Sequence, residues 1–530
     1  MPEFVTLVLR DGLADVLSPA SRQILEGESL PAYLPKRRWF AAKDRRIDSV
    51  HIAKATPLPG TDLMLAQVEA TAGGTTDCYQ VPLGIAWEDN GLPALQQQLA
   101  VARVRRGRRV GFLTDAFSLR DLPLAMIEGL QAGRTVPTDD GEIRFRPTTR
   151  MEGFELPPDT EIQWLAAEQS NSSLVLGDKL VLKVIRRIRP GIHPEAEMGR
   201  YLTEHGASNI APLFGEVVRI GADGEPRTLA IVQGFVRNQG DGWGWSLDNL
   251  RRTVDEMTLT EGAADGDGFA DEAGFAAAIG RRLAEIHTVL AQPSDDPAFA
   301  PEPVDAKTVA AWVEEARVEI DGALATVAAM RDWPDAPTEV AAKRLLAGRD
   351  GLARLVERLA AAGRGSLQTR VHGDFHLGQV LVAQGDAYLI DFEGEPTRPI
   401  AERRHKSSPL RDVAGLLRSI DYAAATADDA TRDSIPEAMR EQRTALLQRY
   451  RDEASKAFLD AYRDVARAAS HPWATPEAEE ALIALFSLQK AAYEIRYEAA
   501  NRPGWIGLPI RGLAALLDQL AAEAKVLTHA

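Results

Sequence analysis

Cysteine is almost absent: Cys78 stands alone in 530 residues, which excludes an internal disulfide and any Cys-X-X-Cys metal or redox site. A reducing, cytoplasmic compartment is the expectation that follows. No uninterrupted apolar run approaches the roughly 18 residues needed to cross a bilayer. The first residues, Met-Pro-Glu-Phe, lack the basic start and apolar stretch of an export signal, so no membrane partner is expected. Net positive charge is missing too. At a formal charge of −16 the chain repels nucleic-acid phosphates and anionic lipids, which argues against a nucleic-acid partner. The one dense basic run, Arg103 to Arg109, has no interleaved aromatics and reads as a solvated or structural charge run. No internal repeat is present, which excludes a solenoid.

What the chain does have is length and an ordinary globular composition. Its 530 residues exceed the roughly 250–300 at which a single hydrophobic core stops growing. With 45% apolar and 26% charged residues it can fill two or three cores. The pattern suggests an α+β cap over residues 1–117, a small lobe over 118–237 and a helical lobe over 238–530. Phe4 to Leu9 suits an edge strand, Pro19 to Gly27 looks helical, and short β-like runs with Gly-rich turns follow to about Phe117. Between Gln163 and Ile185, the runs SLVL and KLVLKVI flank Gly177-Asp178, the signal of a two-residue hairpin. A loop with two prolines, the helix-forming EAEMGRYLTEHG and the strand-like Thr228 to Val236 complete the small lobe. Beyond about residue 245 helical sequence dominates, around 275–290, 309–330, 338–362 and 440–469, with 262–274 and 292–304 reading as loops. One β-like island, residues 368–393, interrupts it. A β-rich lobe followed by a helical lobe with an embedded hairpin is the layout of a bilobal protein-kinase-like fold.

The island carries the chemistry. His372-Gly373-Asp374 is followed by Gln379 five residues after the aspartate and by Asp391-Phe392 seventeen after it. The kinase pattern H-R-D-x-x-x-x-N with its later D-F-G has the same order and spacing. Either motif alone passes for a polar turn or a strand cap; their agreement with the upstream lobe makes them a site. Phosphoryl transfer works mainly by positioning and charge neutralisation, so it needs a carboxylate beside the acceptor hydroxyl and oxygen ligands holding Mg²⁺ against the phosphates of ATP. Asp374 suits the first role, Gln379 and Asp391 the second. Lys183, in VLKVI, suits contact with the α- and β-phosphates, oriented by a downstream helix glutamate, Glu197 by preference and Glu195 as the alternative. No GxGxxG precedes the hairpin. Gln169 to Ser173 fills that turn instead, where Ser172 and Ser173 can offer hydroxyls and amides to phosphate. Adenine is expected against Gln233, Phe235 and Val236 through main-chain hydrogen bonds. Asp412, which opens an amphipathic helix, reads equally as a brace beneath the catalytic loop and as a plain helix cap.

Several blocks together resemble the bacterial maltokinases: LPAYLPKRRWFAAK (Leu30 to Lys43), EQSNSSLVLGDKLVLKVIRR, VHGDFHLGQVL, LIDFEGEP, RRHKSSPLRDVAGLLRSIDYA and KAAYEIRYEAANRPGWIGLP. RWFAAK, DFEGEP and YEIRYEAANRPGW distinguish them from aminoglycoside phosphotransferases, which share the HGD and DF elements. The resemblance implies an N-terminal cap, a nucleotide lobe, and a helical lobe that holds maltose and directs the γ-phosphate of ATP to its anomeric hydroxyl. The product would be maltose 1-phosphate, a donor for α-glucan building. Some relatives are fused behind a trehalose synthase, so association or fusion with that enzyme is a further implication.

On a helix, Lys490, Tyr493, Glu494, Tyr497, Glu498 and Asn501 fall on one broad face. By pattern alone this is a solvated charged face with half-buried tyrosines. The resemblance implies instead a sugar-binding face, where carboxylates and amides bond hydroxyls and tyrosine rings pack on the pyranose, with Lys490, Tyr493, Glu494 and Tyr497, beside His372, as the expected acceptor site. A glucosamine kinase is the nearest rival, and its amino group calls for an additional carboxylate. A nucleotide-binding pseudokinase is the rival from another class, opposed by the joint presence of Lys183, Asp374, Gln379 and Asp391.

Overall fold

The computed structural model describes residues 4–165, 170–259, 269–432 and 436–529. Gln169 of the phosphate-covering turn and residues 262–268 of the expected loop lie outside them. The chain divides into two compact units, Met1–Glu204 with Ala211–Val236, and His205–Ile210 with Arg237–Ala530.

The first unit holds two seven-stranded sheets. In the first, the strands run in the order Thr6–Val8, Ala100–Arg106, Arg109–Asp115, Thr75–Trp87, Leu63–Ala72 and Ile47–Pro57. Thr6–Val8 is an edge strand, paired parallel to Ala100–Arg106. The basic run turns between two strands of this sheet; Arg109 pairs with Asp89 and lies 4.4 Å over the Trp87 ring, and Arg103 pairs with Glu88. The second sheet is antiparallel throughout, in the order Thr135–Thr138, Gly141–Pro147, Leu213–Ile220, Pro226–Gly234, Leu180–Val184, Ser172–Leu176 and Ile162–Trp164. Its hairpin turns at Gly177 (φ 56°) and Asp178 (φ 52°), the left-handed pair that a two-residue turn requires. Leu180, Leu182 and Val184 are fully buried on one face of their strand, which leaves Lys183 on the other.

The two sheets are joined side by side. The seventh strand of the first sheet, Arg187–Ile188, pairs with Tyr79 and Cys78 off the main path. The buried Arg186 guanidinium reaches Asp115 (2.8 Å) and the Gln80 carbonyl (3.2 Å) between the rings of Trp39 and Phe117. Asp140, in the turn before Gly141–Pro147, takes Lys54 of the first sheet (2.8 Å) and Arg219 of the second. The side-chain bond from Lys54, more than the smaller rise that burial brings, holds the Asp140 carboxyl at about 2.

The second unit is helical around one hairpin, Val380–Ala383 with Asp386–Leu389. Its helices are Gly242–Leu259, Ala270–Leu290, Ala306–Ala329, Ala336–Ala347, Arg349–Ala362, Leu410–Thr431, Arg440–Ala468, Pro476–Asn501 and Gly507–His529, with one turn at Ile400–Arg403. Two expectations are corrected. The segment 338–362 is not continuous but breaks at Gly348, whose N–H closes the first helix on the Arg344 carbonyl at 2.9 Å and which caps the start of the second. Residues 270–274, expected as loop, begin a helix because Phe275, Ile279 and Leu283 extend its buried stripe. Among the described residues no helix is long and apolar enough to cross a membrane.

Candidate functional site

The catalytic loop is built around a buried carboxylate. Asp412, 1% exposed, accepts the backbone N–H groups of His372 (2.8 Å) and Gly373 (2.9 Å) and meets His287 Nε2 at 3.2 Å. His287, itself buried, meets the Tyr462 hydroxyl through Nδ1 at 2.9 Å. Burial alone would raise the Asp412 carboxyl, but the His287 hydrogen bond, the histidine charges and the Gly373 N–H outweigh it and hold it below the ordinary range. Of the two readings of Asp412, the geometry is that of a brace. The loop also passes close to the chain after Asp391: a Cβ on Gly373 would lie 3.4 Å from the Gly394 Cα, and both residues have positive φ (83° and 72°).

This bracing presents Asp374 and its partners. Asp374 is half-buried, and the Lys490 ammonium stands 3.5 Å from its Oδ1. Burial would lower Lys490, but the charges of Asp374, Glu395 and Glu494 prevail and keep it above the usual lysine range. Gln379 and Asp391 flank the first rung of the hairpin, where Ile390 N–H donates to the Gln379 carbonyl at 3.0 Å. Asp391 sits at φ 65°, a left-handed bend that sends Phe392 inward against the His372 ring at 4.8 Å. One carboxylate and one amide are hard oxygen donors, with no sulfur or imidazole in the pair. They fit a magnesium ion that takes its remaining ligands from phosphate and water, and no self-sufficient cage of three His, Cys, Asp or Glu exists among the described residues.

His372 corrects an expectation. Its ring is 2% exposed, Nε2 is bonded to the Ile390 carbonyl at 2.9 Å, and Phe375 and Phe392 pack on it, so it ties the catalytic loop to the hairpin and does not face the acceptor.

A pocket opens at Asp374, walled by Glu395 and Arg398 after the DF pair, by Arg411, and by Gln489, Lys490 and Tyr493 of the helix Pro476–Asn501. Tyr493 donates to Glu395 at 2.7 Å. Burial first, then the Glu395 bond and charge, push its phenol upward, so it remains a donor at neutral pH. Past Tyr493 the pocket continues into an outer compartment lined by Val318, Thr397, Arg496 and Tyr497, and Glu315, Glu319 and Glu395 border both. The Tyr493 and Tyr497 rings are stacked, 6.1 Å apart.

Glu494 and Glu498 do not belong to this wall. Glu494 is buried and accepts from Arg418 at 2.7 and 3.1 Å; Glu498, also buried, takes Arg502 at 2.6 Å. At about 100° per residue these two rotate off the Lys490–Tyr493–Tyr497 stripe toward the helix Leu410–Thr431. The pocket continues on the other side to Gln489 and Phe486, which the sequence reading missed. It also missed Glu395, four residues after Asp391 in the quoted DFEGEP block, and His287, a lone histidine on an apolar helix face.

In the first unit, Lys183 donates to both carboxylate oxygens of Glu195, at 2.9 and 3.1 Å. The preference for Glu197 is thereby corrected: two residues on along a helix the side chain points away, and Glu195 is the one buried against the sheet. Ser172 is also corrected. It lies on a strand, not in the turn, and its hydroxyl accepts from Arg186 at 2.8 Å. Ser173 stands opposite Lys183 in the ladder with its hydroxyl buried. Gln233 belongs to a central strand paired on both sides, so its main-chain groups are spent inside the sheet, and the Phe235 N–H donates to the Lys179 carbonyl at 2.8 Å. Val236 is the last residue of the unit.

A strand lysine held by a buried helix glutamate, together with a braced His-Gly-Asp loop and a nearby Asp-Phe hairpin end, defines a phosphotransferase of the kinase-like fold. The chain belongs to the phosphotransferase enzyme family, whose model matches residues 161–427, just over half of it. Residues 33–118 match the maltokinase N-terminal cap domain. Among curated proteins it is similar to a glucosamine kinase of Streptacidiphilus jiangxiensis, 29% identical over 68% of this chain and 75% of that protein. It is also similar to one of Mycolicibacterium smegmatis, 28% identical over 67% and 79%. A solved glucosamine kinase in complex with glucosamine, ADP and inorganic phosphate superposes with a TM-score of 0.63 at 23% identity, covering 88% of this chain and 94% of that one. A second glucosamine kinase crystal form gives 0.64 at 22%, covering 94% and 99%. At that identity these structures speak for the fold.

Proposed function

We propose that this phosphotransferase is an ATP- and Mg²⁺-dependent maltokinase, transferring the γ-phosphate to the anomeric hydroxyl of maltose. The observation that carries the reading is the two-compartment groove. An inner pocket at Asp374 runs past Tyr493 into an outer one at Tyr497, which suits an acceptor of two rings with the reacting ring innermost. Asp374 accepts a hydrogen bond from the acceptor hydroxyl, orients its oxygen toward the γ-phosphorus and receives the proton as the new O–P bond forms and the bond from that phosphorus to the β–γ bridging oxygen breaks, releasing ADP. Lys490 adds positive charge at the transfer point, and the Tyr493–Glu395 pair fixes the wall against which the sugar lies. Lys183, oriented by Glu195, neutralises the α- and β-phosphates. Gln379 and Asp391 would hold a magnesium ion, which would supply positive charge against the phosphates of the transferring group.

Phosphorylation of glucosamine is the second reading, favoured by the names of the curated relatives and by Glu315, Glu319 and Glu395 along the groove, carboxylates that suit an amino sugar. Incubation with ATP, Mg²⁺ and a panel of mono- and disaccharides, with products identified by mass and NMR, separates the two. Maltose 1-phosphate as the main product is expected; product from glucosamine alone overturns the maltose reading.

A further inference from the structure

A second groove lies in the helical unit, between the helices Leu410–Thr431, Arg440–Ala468 and Gly507–His529, and shares no residue with the pocket at Asp374. We propose that it is a binding site for a phosphorylated sugar.

Arg443 is its centre. The side chain is 5% exposed and pairs with Asp428 at 2.8 Å through one nitrogen, while Nε and Nη1, both buried, meet no acceptor among the described residues. Each such donor has lost its hydration without gaining an acceptor, which is costly on a charged group. Arg451, further along the groove, repeats the arrangement. Its Nε is 3.8 Å from Asp421, outside hydrogen-bond distance, and is likewise buried without an acceptor. Two aspartates of the groove are committed to arginines, Asp428 to Arg443 and Arg432, Asp421 to Arg418 at 2.9 Å, and the third, Asp452, accepts from Gln448 at 3.0 Å. An anionic ligand therefore finds open donors and few open acceptors. A guanidinium with free N–H groups is a natural phosphate partner.

The length of the groove selects more than phosphate alone. Arg443 and Arg451 are eight residues apart on one helix, about 12 Å along its axis. Between and beyond them stand Thr444, Gln448, Asp452 and Ser455; Gln448 accepts from Arg451 at 3.2 Å and donates to Asp452 at 3.0 Å, and these hydroxyls, amide and carboxylate keep further lone pairs and an N–H for sugar hydroxyls. Arg418 lines the same groove and holds Glu494, so a ligand there reaches the helix that carries Lys490 and Tyr493.

Calorimetric titration of the full chain tests this, with glucose 6-phosphate, inorganic phosphate and glucose as probes. Glucose 6-phosphate is expected to bind most tightly, and Arg443→Met to weaken it at least about tenfold, the scale of a charge-assisted hydrogen bond. Arg451→Met, at a half-buried position, provides the same reading should Arg443→Met fail to fold. Ala515→Trp, at the exposed rim, should block entry while removing no charge. The proposal is overturned if glucose 6-phosphate gives no heat of binding, if Arg451→Met and Ala515→Trp bind it as the parent does, or if inorganic phosphate binds equally well.

Discussion

At the scale of single residues, the charged side chains of the helical unit separate by where their partners lie. Among the described residues Asp374 pairs with Lys490 alone, at 3.5 Å, and faces the pocket. Asp374→Asn should cut kcat by a factor on the order of 10²–10⁴ while thermal midpoint and KM for ATP stay near the parent values; steady-state kinetics beside a melting curve checks this, and retention of most activity would refute the role. Glu494 behaves oppositely, because its carboxylate is buried on Arg418. Glu494→Ala leaves a buried guanidinium with Asp421 as its remaining partner and should destabilise by up to about 3–5 kcal/mol. Tyr493→Phe removes one bond to Glu395 and should raise the acceptor KM several-fold with little change in stability. If Glu494→Ala moved only KM and Tyr493→Phe only stability, the assignment of the two helix faces would be reversed. Cys78 has its thiol pushed up to about 11 by burial, with the Glu69 charge adding to it, and should react slowly with thiol reagents at pH 7.

At the scale of elements, the helix Leu410–Thr431 does two things from one stripe of residues. Its first turn gives Asp412 to the catalytic loop, and two turns on it gives Arg418 to the acceptor helix. Asp412→Ala deprives two buried loop N–H groups of their acceptor, about 1–3 kcal/mol each. It should lower kcat at least about tenfold, with the ATP and acceptor KM values changing less. His287→Leu, which spares those N–H bonds but removes the support of Asp412 from behind, should give a weaker version of the same effect. A KM change that exceeds the kcat change in either variant would mean that the helix shapes the sugar wall more than the loop. The sequence supports both readings of Asp412 because a carboxylate in a first helical turn is commonplace; which N–H groups it meets depends on a loop forty residues earlier.

At the scale of the whole molecule, Asp140 is a pH-sensitive rivet between the two sheets of the first unit. Its carboxyl is held at about 2 against an ordinary value of 3.8, chiefly by Lys54 and Arg219. A depressed folded-state value contributes stability that is complete above about pH 4 and is lost as the pH falls through about 2. Asp140→Asn should therefore lower the denaturation midpoint at pH 7, with the difference from the parent shrinking to nothing near pH 2; a difference independent of pH would remove the rivet. The order of elements, the hairpin at Gly177-Asp178 and the spacing of Asp374, Gln379 and Asp391 are legible in the chain, because strand alternation, turn chemistry and loop length are local properties. Helix periodicity likewise puts Lys490, Tyr493 and Tyr497 on one stripe. What it leaves open is the width of that stripe, since Glu494 and Glu498 lie within reach of it by angle and are taken away by Arg418 and Arg502. The same holds for Glu195 over Glu197, for Ser172 turned onto Arg186, and for His372 sealed beneath Ile390. Each of these turns on which buried partner a polar side chain meets. The sequence by itself determined the elements, their order and the residue types of the site; the tertiary structure alone decided which polar groups remain open to a ligand, because burial without a partner is costly and the fold claims most buried polar groups first.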